Sequence, residues 1–171
     1  MKNFTVDSYI QYWKLLAGLH KSINGFYIMD INAVLEGLRL DIQYPAMILN
    51  SVTGFPSLQS NRDNVLNTVK GGFLIIDHLD QVSNYVGEVV ILNNTFNIGQ
   101  QIISKIIADL CEDDCPIKGL DVDTISYEMI DSLFDNDFGF LFTMNLDHQI
   151  MDLNHDPSFW LDTPKTGMSG F

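Results

Sequence analysis

The sequence predicts an α+β protein: a two-layer sandwich, an antiparallel sheet with one long helix packed across it and helices at its N-terminal end. Three observations carry this. Apolar residues recur at three- and four-residue steps over 5–21 and again over 82–110, the period of a helix with one buried face. Between 138 and 146 they alternate instead: Phe138, Phe140, Phe142, Met144 and Leu146 stand between Gly139, Leu141, Thr143 and Asn145. Period two is a strand with one buried face. The order of elements reads α, α, β, β, long α, β, β, and strands segregated around a helix layer pack as two layers.

The first helix places Tyr9, Tyr12, Trp13, Leu16, Leu19 and Ile23 on one face. Thr5 or Asp7 can cap it, and Asn24-Gly25 is expected to end it. Asp30 opens a shorter helix with Val34, Leu35 and Leu38 on one side. Residues 1–40 are thus assigned to N-terminal helices. Pro45 stops helical structure, and Ala46-Met47-Ile48-Leu49 reads as a strand buried on both faces. Residues 54–64 are rich in Gly, Pro, Ser, Gln and Asn and predict a loop. A second strand region covers 65–79, with a bulge or a close backbone approach at Gly71-Gly72. Strands therefore occupy 44–80.

One helix is expected over 82–110, buried through Val82, Tyr85, Val86, Val89, Phe96, Ile103, Ile106, Ile107 and Leu110. Gly99 weakens that stripe, and Asn93-Asn94 is the place for a kink. A β-hairpin follows over 120–147, turning at Asp135-Asn136-Asp137. Phe140 and Phe142 are expected in the core. Residues 148–171 read as a tail anchored by Phe159-Trp160. The 171 residues make one domain.

Composition narrows the function classes. Apolar residues make up 46% of the chain, enough for a core and against disorder. No run approaches a membrane span, and the opening Met1-Lys2-Asn3-Phe4 leads to Asp7 and Lys14 rather than a signal core. A cytoplasmic or virion location is expected. The net charge is −13, and the segment 109–162 holds all of it: 14 acidic residues against one base, Lys118. Such a surface repels phosphate, so direct sequence-specific nucleic-acid binding is not expected.

No catalytic constellation emerges. Walker A, G-x-G-x-x-G and G-x-S-x-G patterns are absent from the sequence. His148, Asp152 and His155 are the one clustered set of ligand-type side chains, in a spacing that matches no catalytic signature. Cys111 and Cys115 read as free thiols. Asp113, Asp114, Asp121 and Asp123 offer oxygen ligands without an EF-hand pattern. No cofactor and no metal are assigned.

The opening Tyr9-x-x-Tyr12-Trp13-Lys14-x-Leu16-Ala17-x-x-His20-Lys21-x-Ile23-Asn24-Gly25-Phe26 resembles small prophage-type proteins of Bacteroidetes. So do Tyr44-Pro45 before the first strand and Asp156-Pro157-x-x-Trp160 near the end. In size and element order the chain also resembles phage tail-terminator and tail-completion subunits. That resemblance implies a non-enzymatic structural subunit that forms homo-oligomers and docks other phage structural proteins. The long Asp-rich C-terminal third departs from it. Phe55 and Leu58, apolar residues within the expected loop, are the candidate interface residues. Removing 59–64 is expected to leave the monomer fold intact. An acidic protein-binding or DNA-mimic module is the alternative, and a metal-dependent hydrolase using His148, Asp152 and His155 the second.

Overall fold

The computed structural model describes residues 5–28, 42–58, 65–80, 84–112, 115–131 and 136–150. Within them the chain runs α1 (Val6–Leu19), β1 (Gly25–Ile28), β2 (Ala46–Leu49), β3 (Thr53–Leu58), β4 (Val65–His78), α2 (Tyr85–Asp109), β5 (Leu120–Ile130) and β6 (Asp137–Ile150). The expected short helix from Asp30 and the tail beyond 150 lie outside the described residues. The α+β class holds: a mostly antiparallel six-stranded sheet in the order β1-β2-β4-β6-β5, with the long helix packed against it.

α1 begins where Thr5 caps it. The Thr5 hydroxyl accepts from the Ser8 amide at 3.0 Å, and the Ser8 hydroxyl accepts from the Thr5 amide at 3.1 Å. This reciprocal pair satisfies two donors that a helix start leaves open. The helix stops at His20, earlier than Asn24-Gly25. Gly25 instead opens β1, a strand the sequence reading missed, paired in parallel with β2. A Cβ on Gly25 would crowd the Gln43 carbonyl oxygen at 2.7 Å, so this glycine serves close strand approach.

β2 is buried at every position, as its unbroken apolar run predicts. Its alternate residues feed two clusters: Met47 and Leu49 face the helices, while Ala46 and Ile48 join Leu74 and Ile76 on the opposite face. β4 is the spine of the sheet. It pairs with β6 along all of its 14 residues, and β2 and β3 share its other edge.

Two expectations about this region change. Thr53–Leu58 is a strand, not part of a loop, with Phe55 opposite Thr68 and Leu58 opposite Val65. Cross-strand pairing with β4 overrides the Gly, Pro and Ser content that signalled a loop. Because Leu58 and Val65 are register partners, deleting 59–64 would join them directly, so that this pair becomes the turn and the β3–β4 ladder shortens at that end. Gly71-Gly72 does not interrupt β4, which keeps register with β6 through Met144 and Thr143. The close approach does occur: a Cβ on Gly71 would meet the Tyr9 hydroxyl, and one on Gly72 the Phe142 carbonyl oxygen.

α2 is one unbroken helix through Asn93-Asn94. Its buried positions are Ile91, Thr95, Ile98, Gly99, Ile102, Ile103 and Ile106. The seam is therefore rotated from the expected stripe: Tyr85, Val86, Val89 and Ile107 are exposed. Close packing explains the rotation. Small residues let the helix axis approach the sheet, and Gly99 sits directly on the Phe142 ring. Phe142 is fully buried, stacked on Phe73 at 5.0 Å and 11°, with Trp13 against Phe73 at 4.9 Å. Phe140, expected in the core beside it, is only partly buried. Tyr12 ties α1 to α2 through its hydroxyl, which donates to Asp109 Oδ2 at 3.0 Å. Burial, with Asp109 adding to it, pushes the Tyr12 phenol above its ordinary value. No described helix is long and apolar enough to cross a membrane.

Candidate protein-docking surface

α2 runs along β6 with Gly99 over Phe142 and Phe96 beside Phe140. Its first two turns continue toward the Asp137 end of β6, where Gly87 lies close to Leu79. There the helix outruns what the sheet can cover. Tyr85 is 74% exposed, Val86 73%, Val90 52% and Val89 38%. β5, the last strand of the sheet, extends this surface. Tyr127 is 57% exposed and Met129 54%. Phe96 joins the two elements, with its ring edge-on to Tyr127 at 5.2 Å. Exposed apolar side chains thus stand both at the start of α2 and on the sheet edge, with Phe96 linking the helix to β5. Scattered single exposures are ordinary, but contiguous ones mark contact surfaces.

The carboxylates lie beside these side chains. Asp121, Asp123, Glu128 and Asp131 are exposed on or next to β5. The strand pairs regularly with β6 from Ser126↔Thr143 to Ile130↔Gly139, and its register shifts between Asp121 and Ser126. In that irregular stretch Asp121 Oδ1 accepts from the Asp123 amide at 3.1 Å, and the Thr124 hydroxyl accepts from the Asn145 amide at 2.9 Å. These bonds satisfy backbone groups that the interrupted ladder would leave open.

A second polar arrangement sits on the sheet face opposite the helices. Asp137, 2% exposed, is the register partner of His78. Its Oδ2 accepts from the Tyr44 hydroxyl at 2.6 Å, and its Oδ1 lies 2.6 Å from His78 Nδ1. Nδ1 faces the carboxylate and Nε2 points away from it. An imidazole held this way can serve as a base. Among the described residues, though, no hydroxyl or thiol hydrogen-bonds to His78, so no nucleophile completes the pair. The arrangement satisfies a buried carboxylate and locks β4 to β6 at one end. Asp77 next to it is held above its ordinary value, mainly by burial, with repulsion from Asp137 and Asp80 adding to that.

The residues singled out from sequence are not brought together. Phe55 and Leu58 lie on β3, across β4 from β6. His148 lies in β6 opposite Asn67, so 148–150 is strand rather than tail; Asp152 and His155 lie outside the described residues. Among the described residues no three His, Cys, Asp or Glu side chains are grouped to hold a metal. Cys111 and Cys115 are free thiols, and burial pushes the Cys115 thiol up. A cleft of about 220 Å³ between α1 and α2 is lined by Leu16, Leu19, His20, Gln101, Ile102 and Lys105. It is smaller than the ~300 Å³ at which small-molecule pockets begin, and Lys105 is paired with Asp109.

Sequence reasoning missed the docking row because it assigned Tyr85, Val86 and Val89 to the core. The signal that separates the faces was present: Thr95 and Gly99, small residues four apart, mark the side that meets the sheet. Compared with known proteins, the chain matches no family model, no curated protein and no solved structure.

Proposed function

We propose that this chain is a non-enzymatic assembly subunit that self-associates and docks partner proteins through the face shared by α2 and β5. The observation that carries the reading is the set of apolar side chains that the described residues leave more than a third exposed, Tyr85, Val86 and Val89 at the start of α2 and Tyr127 and Met129 on β5. Leaving these side chains in water forgoes stabilisation of about 25 cal/mol for each Å² of apolar area that a partner would bury. The setting in a phage or prophage tail is supported by the sequence resemblance, and the charge agrees with it. An acidic wall lets DNA pass without adhering. Phe55 and Leu58 are proposed as a second contact zone, now placed on a strand that has no described partner on its outer edge.

The acidic protein-binding module stays as a second reading, favoured by the exposed carboxylates on β5 beside the apolar row. Light scattering over a range of concentrations tests the first reading. Growth in average mass that Val86→Ser and Met129→Ser suppress supports it. A monomer throughout, in the presence of tail proteins as well, refutes it.

A further inference from the structure

The outer edge of β5 has a more specific chemistry than the apolar row alone. β5 ends the sheet, and among the described residues no strand pairs with its outer side. From Ser126 to Ile130 its ladder with β6 is regular, so this stretch presents a strand-like row of free backbone donors and acceptors. The irregular residues before Ser126 bound it on one side. On the helix face of the edge stand Tyr127 and Met129, both more than half exposed. Glu128 projects to the other face, and Asp131 follows the last paired residue, both exposed.

We propose that this edge accepts an extended segment of a partner protein as an added strand, with Lys or Arg alternating with apolar residues. This rests on the assembly reading and names the kind of partner that one part of the surface takes. Main-chain hydrogen bonds supply the strand addition, and alternate side chains supply selection. Apolar residues of the incoming strand lie over Tyr127 and Met129. Its basic residues meet Glu128 on the face away from Tyr127 and Met129, and Asp131 adds negative charge just past the paired stretch.

Charge decides among the occupants. A second copy adding β5 to β5 would bring one acidic edge, Glu128 with Asp131 beside it, against the same acidic edge of the other, and like charges across paired strands are destabilising. Segment 109–162 holds a single base, Lys118, so the stretch of chain that carries the edge does not neutralise it. The chain after 150 carries one Lys against three Asp and is no better matched. Self-association therefore does not pair β5 with β5: it uses side chains on the α2–β5 face, while the backbone edge of β5 is kept for a basic partner. Edge strands are commonly protected by charge, but a purely protective edge would not keep two large apolar side chains more than half exposed on its helix face.

The test uses the full chain and a synthetic extended peptide of alternating Lys and Val. A Glu/Val peptide and polylysine serve as controls. Calorimetry is expected to show binding of the Lys/Val peptide alone with defined stoichiometry, weakened by salt. Glu128→Lys/Asp131→Lys should weaken it by at least about tenfold, since both charges sit on the edge. Hydrogen exchange should show new protection of amides 126–131 on binding. No binding, equal binding of polylysine, indifference to the double reversal, or protection elsewhere would each overturn the proposal. So would amides 126–131 already protected in the free chain, which would mean that the chain's own residues occupy the edge. Concentration-dependent mass in light scattering alongside failed peptide binding would sink this inference and leave the assembly reading standing. Peptide binding by a chain that stays monomeric would do the reverse.

Discussion

Gly99→Ala is expected to destabilise the protein although alanine is the better helix former. A methyl group on Gly99 would overlap Cε2 and Cζ of Phe142 and lie 3.0 Å from its Cδ2. The ring has nowhere to retreat, being fully buried and stacked on Phe73, which packs in turn against Trp13. Forcing an extra methyl into a closed core costs about 1–3 kcal/mol. Replacing glycine within a helix returns about 0.8–1 kcal/mol. The net loss is then up to about 2 kcal/mol, or a fall in melting midpoint of up to about 8 °C for a chain of this size. Gly18→Ala is the control. Gly18 lies in α1 with no atom within 4 Å of a Cβ, so only the helix preference acts and stability should rise by about 0.5 kcal/mol. Urea unfolding followed by circular dichroism measures both. Opposite signs are expected at an unchanged slope. A Gly99→Ala protein stabilised as much as Gly18→Ala would mean that α2 does not seat on Phe142, and the exposed face assigned to its first turns would fall with it.

Tyr44→Phe removes the donor to Asp137 Oδ2 and should cost about 1–3 kcal/mol in urea unfolding, the penalty for an unmet buried acceptor; a loss within error would show that solvent reaches Asp137. Asp77→Asn tests the raised carboxyl. Because the folded value lies above the ordinary 3.8, the folded chain holds that proton more tightly, and this contribution is present in acid and lost as pH rises through the folded value. Asn keeps an acceptor for the His78 amide, which donates to Asp77 Oδ1 at 2.9 Å. The melting temperature of the variant relative to wild type should therefore climb between about pH 4 and pH 7, and a gap that stays constant or shrinks contradicts the assignment.

Much of the architecture was legible because periodicity reports burial. The alternation from Phe138 to Leu146 located β6, and the unbroken Ala46–Leu49 run located a strand buried on both faces. Both features are local. What escaped was non-local. β1 is four residues whose strand character comes from parallel pairing to β2. β3 carries loop-type residues held extended by β4. On α2, apolar residues occupy more of the helix surface than one sheet face can bury, so the stripe alone could not choose the buried side. Thr95 and Gly99 could choose it, once small residues are read as points of close approach rather than as weak helix formers. The Tyr44–Asp137–His78 arrangement joins residues far apart in sequence, and nothing in their spacing announces it.

The central claim is that the α2–β5 face is a protein contact surface. The most direct measurement is light scattering of the wild type and of Val86→Ser/Met129→Ser across concentration. Both substitutions fall on exposed positions, so the fold should be spared, and an unchanged circular dichroism melt checks that. The account predicts that the wild type's average mass rises with concentration. The double variant should need roughly tenfold more protein to reach the same mass, equivalent to about 1.4 kcal/mol of lost contact. A wild type that remains monomeric, or a variant that associates as readily as the wild type, would contradict it.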